Sequence, residues 1–156
     1  MKIRRIGLGL TLLVIAAAWA RMFLVGAAAA QKAGRSATAA LNALKTRPER
    51  SNYTETSRYE DVMEFLKIVE AASPRVHLTT FGYSFEGRPL PLAIVGNVKD
   101  AGPEAVKQAG KTRIYIQGDI HAGEVEGKEA CLELLRDIAA GRHNRWLDSM
   151  ILLVGP

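Results

Sequence analysis

Apolar side chains recur at helical spacing in two segments of the chain. The first segment predicts a helix over about 58–72, where Ser57 and Glu60 have the spacing of a capping box and Ser73-Pro74 follows as a stop. The second segment predicts a helix over about 124–140, ended by a glycine. The positions that define the two apolar faces are Val62, Phe65, Leu66 and Val69 in the first helix and Cys131, Leu134, Leu135 and Ile138 in the second.

Alternating or β-branched apolar residues predict four strands. Residues 76–83 and 89–95 flank a turn-forming stretch and predict an antiparallel hairpin. Pro91 cannot donate a ladder hydrogen bond, so its strand needs a sheet edge or a donor position that faces solvent. A strand over 113–121, the second helix and a continuous apolar strand over 148–154 then follow in β–α–β order. This order indicates an α/β protein.

The first thirty residues have the plan of a secretory signal peptide. A basic start is followed by an apolar run and by small residues up to Ala30, so we predict a signal peptide over 1–30 and cleavage before Gln31. Export to the periplasm or the exterior would follow. The alternative is an uncleaved membrane anchor, which takes roughly 20 apolar residues. Arg21 interrupts the apolar run and argues against it.

The next segment, 31–51, is rich in Ala, Ser, Thr, Lys and Arg. It shows no convincing apolar stripe, and we predict a linker or loose arm there. The remaining segment, 52–156, is then the folded part of the chain.

Charge outside the leader is nearly balanced. The chain has 21 Lys and Arg against 16 Asp and Glu, a net charge of +5, but Lys2, Arg4, Arg5 and Arg21 lie in the leader, which has no acidic residue. The remainder carries only +1, so the basic balance does not support a nucleic-acid partner. The single cysteine, Cys131, excludes an intramolecular disulfide framework and a cysteine-only zinc cluster.

Candidate chemistry is concentrated in the segment 118–124, GDIHAGE. His121 is predicted at the end of a strand and Glu124 in the first turn of the following helix, so both side chains converge at the carboxyl edge of the sheet, where α/β proteins bind ligands. Imidazole and carboxylate are zinc ligand types. Gly118 allows close backbone packing and Gly123 a tight passage. The pattern H-x-x-E alone also fits a solvated helix cap, and its position between strand and helix favours a metal site.

Other polar candidates carry weaker signals. Asp119 could orient the imidazole through a hydrogen bond or lie exposed at the strand end. Glu126 and Glu129 are predicted on the solvated part of the helix, and Cys131 as a small core residue. His77 and His143 have no partner at ligand spacing and are assigned no role.

The segment 113–138, RIYIQGDIHAGEVEGKEACLELLRDI, resembles the zinc carboxypeptidase family of carboxypeptidase A-like metallopeptidases, in which an H-x-x-E pair of ligands follows a strand. Tyr59, residues 81–96 (FGYSFEGRPLPLAIVG) and residues 147–150 (LDSM) resemble landmarks of that family in the same order. The resemblance covers about 52–156 and rests on the combination of these segments.

This resemblance implies a mixed, mostly parallel sheet flanked by helices, with one zinc ion at its carboxyl edge. It implies hydrolysis of the C-terminal bond of peptides or proteins by a zinc-activated water. His121 and Glu124 correspond to two zinc ligands. The family's third ligand, its general-base glutamate and its substrate-binding arginines match no position here. Segment 52–156 is therefore expected to be the N-terminal part of a catalytic domain, incomplete at its C-terminus and inactive alone.

Two neighbours of the ligand glutamate depart from the family's digestive-type pattern. That pattern has arginine and tryptophan at the positions of Gly123 and Val125. The digestive side-chain specificity is therefore not expected to carry over. A zinc deacylase of N-acyl amino acids, or a non-catalytic fragment, remain the alternatives.

Overall fold

The computed structural model describes residues 26–121 and 123–156. The chain divides into two compact units, Met1–Ser36 and Ala37–Pro156. The described part of the first unit is helical. Within the described residues, no helix combines the length and the apolar character that crossing a membrane requires. Most of the predicted signal peptide, residues 1–25, lies outside the described residues.

The second unit consists of helices packed on a four-stranded mixed sheet with strand order β1-β2-β4-β3. Strands β1 and β2 pair antiparallel, as do β2 and β4, whereas β3 and β4 pair parallel. The mixed α/β class is confirmed, but two of the three pairings between the described strands are antiparallel, so the described sheet is not mostly parallel. The elements are α1 (37–43), α2 (Arg47–Arg50), α3 (Tyr59–Ala72), β1 (Val76–Tyr83), β2 (Pro89–Val95), α4 (Pro103–Gln108), β3 (Thr112–Gln117), α5 (Val125–Ala139), α6 (Trp146–Ser149) and β4 (Met150–Gly155).

The predicted hairpin and the β–α–β order are both present. Strand β4 pairs only with Ala93, Ile94 and Val95 of β2, so the first half of β2 has β1 alone beside it. Pro91 lies in that half, which is the edge position that its missing donor requires.

Both faces of the central strands are covered. On one face, α3 and α5 pack against the sheet through a core that includes Leu66, Leu132 and Leu135. On the other face, Val106 of α4 packs against Ile94 and Ile151. Burial on both faces explains the continuous apolar run of β4.

The prediction of a linker or loose arm over 31–51 is wrong for the part that lies in the second unit, because residues there pack against the core. Leu41 in α1 is only 1% exposed and belongs to the main core. Nη1 of Arg136 in α5 donates to the carbonyl of Leu44 at 2.8 Å and to Glu49 Oε2 at 2.5 Å. These contacts join residues far apart in sequence. The segment is therefore held to the core without the regular apolar spacing that a sequence pattern would reveal.

The two long helices begin and end through local hydrogen bonds. The capping box predicted at Ser57 is wrong by one residue, because the Arg58 N–H donates to Asp61 Oδ2 at 2.9 Å. At the end of α5, Gly141 has φ +96°. Its N–H bonds to the Ile138 carbonyl, and the next N–H bonds to the Asp137 carbonyl. This is a Schellman motif, and it confirms the predicted stop.

Candidate metal-binding site

The loop between β3 and α5 carries both predicted metal ligands. Strand β3 ends at Gln117, so the prediction that the strand continues to His121 is wrong. The chain turns at Asp119, whose φ is +52°, and again at Gly123, whose φ is +96°. Asp is among the few side chains that adopt this region, and Gly does so without strain. His121 therefore lies on a loop four residues beyond the strand.

Within this loop, His121 and Glu124 contact each other. The ring Nδ1 of His121 lies 2.9 Å from Glu124 Oε1, and the backbone N–H of His121 donates to Oε2 at 3.2 Å. The backbone N–H of Glu124 donates to the His121 carbonyl at 3.2 Å. The side chains are 78% and 56% exposed. The structure thus brings the predicted pair together at a surface that a ligand can reach.

The loop is held against α5 by a close backbone contact. A Cβ atom placed on Gly118 would lie 2.6 Å from the carbonyl carbon of Gly127 and 2.7 Å from the Lys128 nitrogen. The N–H of Gly118 donates to the Gly155 carbonyl at 2.9 Å, beside the end of β4. Only glycine fits at position 118 without displacing the backbone of α5, which confirms the predicted close packing.

A buried polar cluster lies on the first turns of α5. Glu129 accepts three hydrogen bonds, from the Thr56 hydroxyl at 2.7 Å, the Ser57 N–H at 2.6 Å and the Ser57 hydroxyl at 2.8 Å. Lys128 Nζ donates to the Ser57 carbonyl at 2.7 Å. Glu129 is 9% exposed, so the prediction that it is solvated is wrong, whereas Glu126 is exposed as predicted.

Sequence reasoning missed this cluster, although one signal for it was present. Lys128 stands three and four residues before Cys131 and Leu132, on the apolar face of α5. A lysine at such a position is buried only if its ammonium group finds an acceptor. The acceptor is 71 residues away in sequence, so no local pattern identifies it.

Among the described residues, none of the remaining candidates forms a hydrogen bond with this pair. Asp119 is exposed and lines a cleft of about 300 Å³ together with Gln117 and Gly155. Cys131 is buried in the core, and its burial raises the pKa of its thiol. His77 Nε2 lies 3.1 Å from the Val98 carbonyl, and the ring of His143 stacks on Trp146.

The two side chains are of types that bind zinc. Ligands about 2.1 Å from a tetrahedral zinc ion lie about 3.4 Å from each other. The Nδ1 and Oε1 atoms lie 2.9 Å apart, which is a hydrogen-bond distance, so a bound metal would have to replace this hydrogen bond. Among the described residues, no group of three or more His, Cys, Asp or Glu side chains could hold a metal ion. A catalytic zinc site commonly takes three ligands from the protein, and in this loop the described chain brings together two side chains of ligand type.

Comparisons with known proteins identify the family of the chain and its fold. A family model described as zinc carboxypeptidase matches residues 62–152, a range that includes His121 and Glu124. No curated protein matches the chain significantly. Among solved structures, carboxypeptidase A from Helicoverpa armigera is 19% identical with a TM-score of 0.55, and covers 65% of this chain. Thrombin activatable fibrinolysis inhibitor is also 19% identical with a TM-score of 0.55, and covers 81%.

This chain spans only part of the length of these solved structures. The aligned part represents 24% of the Helicoverpa armigera chain and 31% of the thrombin activatable fibrinolysis inhibitor chain. At this level of identity, the likeness shows the fold.

Proposed function

The chain belongs to the zinc carboxypeptidase family, and from this we propose that His121 and Glu124 are two zinc ligands of a metallocarboxypeptidase that releases C-terminal residues from peptides or proteins. The observation that carries the proposal is the contact of 2.9 Å between the imidazole Nδ1 and the carboxylate Oε1. Both residues lie inside the range that the family model matches.

In this proposal, the loop supplies a preformed and accessible pair of donors. Zinc, when bound, polarises the scissile carbonyl and lowers the pKa of a bound water. Glu124 provides the negative charge, and its second oxygen holds the backbone of His121. Because both side chains face solvent, a peptide terminus can approach them without an opening of the core.

Replacement of each ligand tests the proposal. In the protein that carries this chain, His121→Ala and Glu124→Ala should each abolish bound zinc and the release of C-terminal amino acids from a peptide. Glu126→Ala is the matched control, because Glu126 is an exposed carboxylate two residues from Glu124. Bound metal would be measured by elemental analysis, and the released amino acid by mass spectrometry. Full metal content and full activity in either ligand variant would refute the assignment.

A zinc deacylase of N-acyl amino acids is the second candidate. It is favoured by Gly123 and Val125, which place no charged side chain directly beside Glu124. Parallel assays with a peptide and an N-acyl amino acid separate the two activities. Release of the acyl group without release of C-terminal residues would establish the deacylase.

We also propose export of the protein, with cleavage between Ala30 and Gln31. The support is the order of basic, apolar and small residues in 1–30. Sequencing of the mature N-terminus from the secreted fraction should begin at Gln31. An intact Met1 in a membrane fraction would instead establish the anchor.

A further inference from the structure

We infer that the buried cluster of Ser57, Lys128 and Glu129, here called the α5 anchor, positions Glu124 against His121. The inference rests on the proposed function for the identity of the ligand, but the anchor's effect on the pair can be measured without metal. Nothing in the motif H-x-x-E identifies these three residues. They are positioning residues because, among the described residues, none of them forms a hydrogen bond or ion pair with His121 or Glu124.

The α5 anchor uses every polar atom of Ser57. Its N–H and hydroxyl donate to the Glu129 carboxylate, and its carbonyl accepts from Lys128. Ser57 is 3% exposed and Lys128 is 8% exposed, so water competes little for these bonds. The segment just before α3 is thereby fixed to the first turns of α5, and Glu124 directly precedes this helix.

The start of α5 is also in contact with the backbone of Gly118. Gly118 packs its backbone against Gly127 and Lys128, and its N–H is held by the Gly155 carbonyl. The loop that carries His121 therefore starts in contact with the turn that the α5 anchor holds. A displacement of this turn changes the position of Glu124 and the path of the loop together.

Stability alone is a poor explanation for this cluster. Burial of charged groups costs desolvation, and apolar replacements of similar volume are often neutral or stabilising. The contacts of Glu129 are directional, since one carboxylate is bonded to three donors from two adjacent residues. Such a contact restricts the rotation of a helix about its axis and its translation along that axis more narrowly than apolar packing does. A pair of metal ligands requires such a fixed position.

The experiment compares Glu129→Gln with Glu126→Gln in the full chain. Both variants remove one negative charge from the start of α5, but only Glu129 belongs to the anchor. Ser57→Ala is a second variant that changes no charge. Unfolding by urea is measured first, so that all proteins are compared where they are fully folded. The ring ¹⁵N chemical shifts of His121 then report its contact with Glu124 without metal, and Glu124→Ala defines the shifts when that contact is lost.

We expect Glu129→Gln and Ser57→Ala to move the His121 ring shifts toward those of Glu124→Ala, and Glu126→Gln to leave them unchanged. In a Zn²⁺ titration followed by the same resonances, Glu129→Gln should weaken binding by up to about tenfold, the lower end of the effect of groups that hydrogen-bond to metal ligands directly. Ring shifts and Zn²⁺ affinity equal to wild type in folded Glu129→Gln and Ser57→Ala would overturn the inference. The metal-free shifts decide the role of the anchor even if wild type shows no Zn²⁺-dependent change at His121, because the described residues bring together only two side chains of ligand type.

Discussion

The contact between Gly118 and α5 predicts that Gly118→Ala destabilises the protein. The added Cβ would lie 2.6 Å from the Gly127 carbonyl carbon, whereas carbon atoms in favourable contact are about 3.5 Å apart or more. Both neighbours at this point are backbone atoms, so no side chain can rotate to make room. Such overpacking costs about 1–3 kcal/mol. The substitution also reduces the conformational freedom of the unfolded chain, which stabilises the folded protein by about 0.4–1 kcal/mol.

The expected net change is therefore a loss of about 1–2 kcal/mol in the free energy of unfolding, by the overpacking and chain-entropy terms together. Urea denaturation followed by circular dichroism measures it, with Gly82→Ala as the matched control. A Cβ on Gly82 would meet only Leu90 Cδ1, at 3.8 Å, so this variant should be neutral or slightly stabilised. If Gly118→Ala is as stable as Gly82→Ala, the backbone contact does not limit position 118 and the reasoning is refuted.

Two further predictions concern ionisable groups. Burial of Glu49 opposes its ionisation, but hydrogen bonds from Arg136 and Thr46 outweigh it and hold the pKa of this carboxyl below its usual 4.5. Its contribution to stability is complete above that pH and is lost as the pH falls through the lower folded value. The stability difference between wild type and Glu49→Gln, from urea titrations at several pH values, should therefore shrink below pH 4.5, and a constant difference would contradict this. Burial raises the pKa of the Cys131 thiol, so a thiol-reactive chromogenic disulfide should label it only on unfolding, and rapid labelling of the native protein would disprove its burial.

Periodicity predicted the two long helices and the four strands of the second unit, and the helices α3 and α5 meet the core along a regular face. The helix predicted over 58–72 is found as Tyr59–Ala72, and the strand predicted over 76–83 is found as Val76–Tyr83. The spacing of apolar residues reports contacts with the core directly. The same reasoning failed for the segment before α3. Leu41, Thr46 and Pro48 are buried there without helical spacing, and Glu49 is held by an ion pair across 87 residues of sequence.

The strand that ends before His121 shows a second limit. Ile120 continues the apolar alternation of Ile114 and Ile116 but is 63% exposed, because the chain has already turned at Asp119. Alternation cannot reveal a positive φ at an aspartate, which is uncommon and is set by the surrounding contacts. The motif predicted which two side chains meet, and the turn determines where they meet.

The position of the pair therefore depends on contacts outside the motif. Glu124 directly precedes α5, and the first turns of this helix are bonded to Ser57 and packed against Gly118. His121 follows Gly118 by three residues. A short chain between two fixed points has few conformations, so the supports at Ser57 and Gly118 restrict the loop even though its own side chains are exposed. Substitutions at the supports should consequently alter the pair more than substitutions at exposed neighbours such as Glu126.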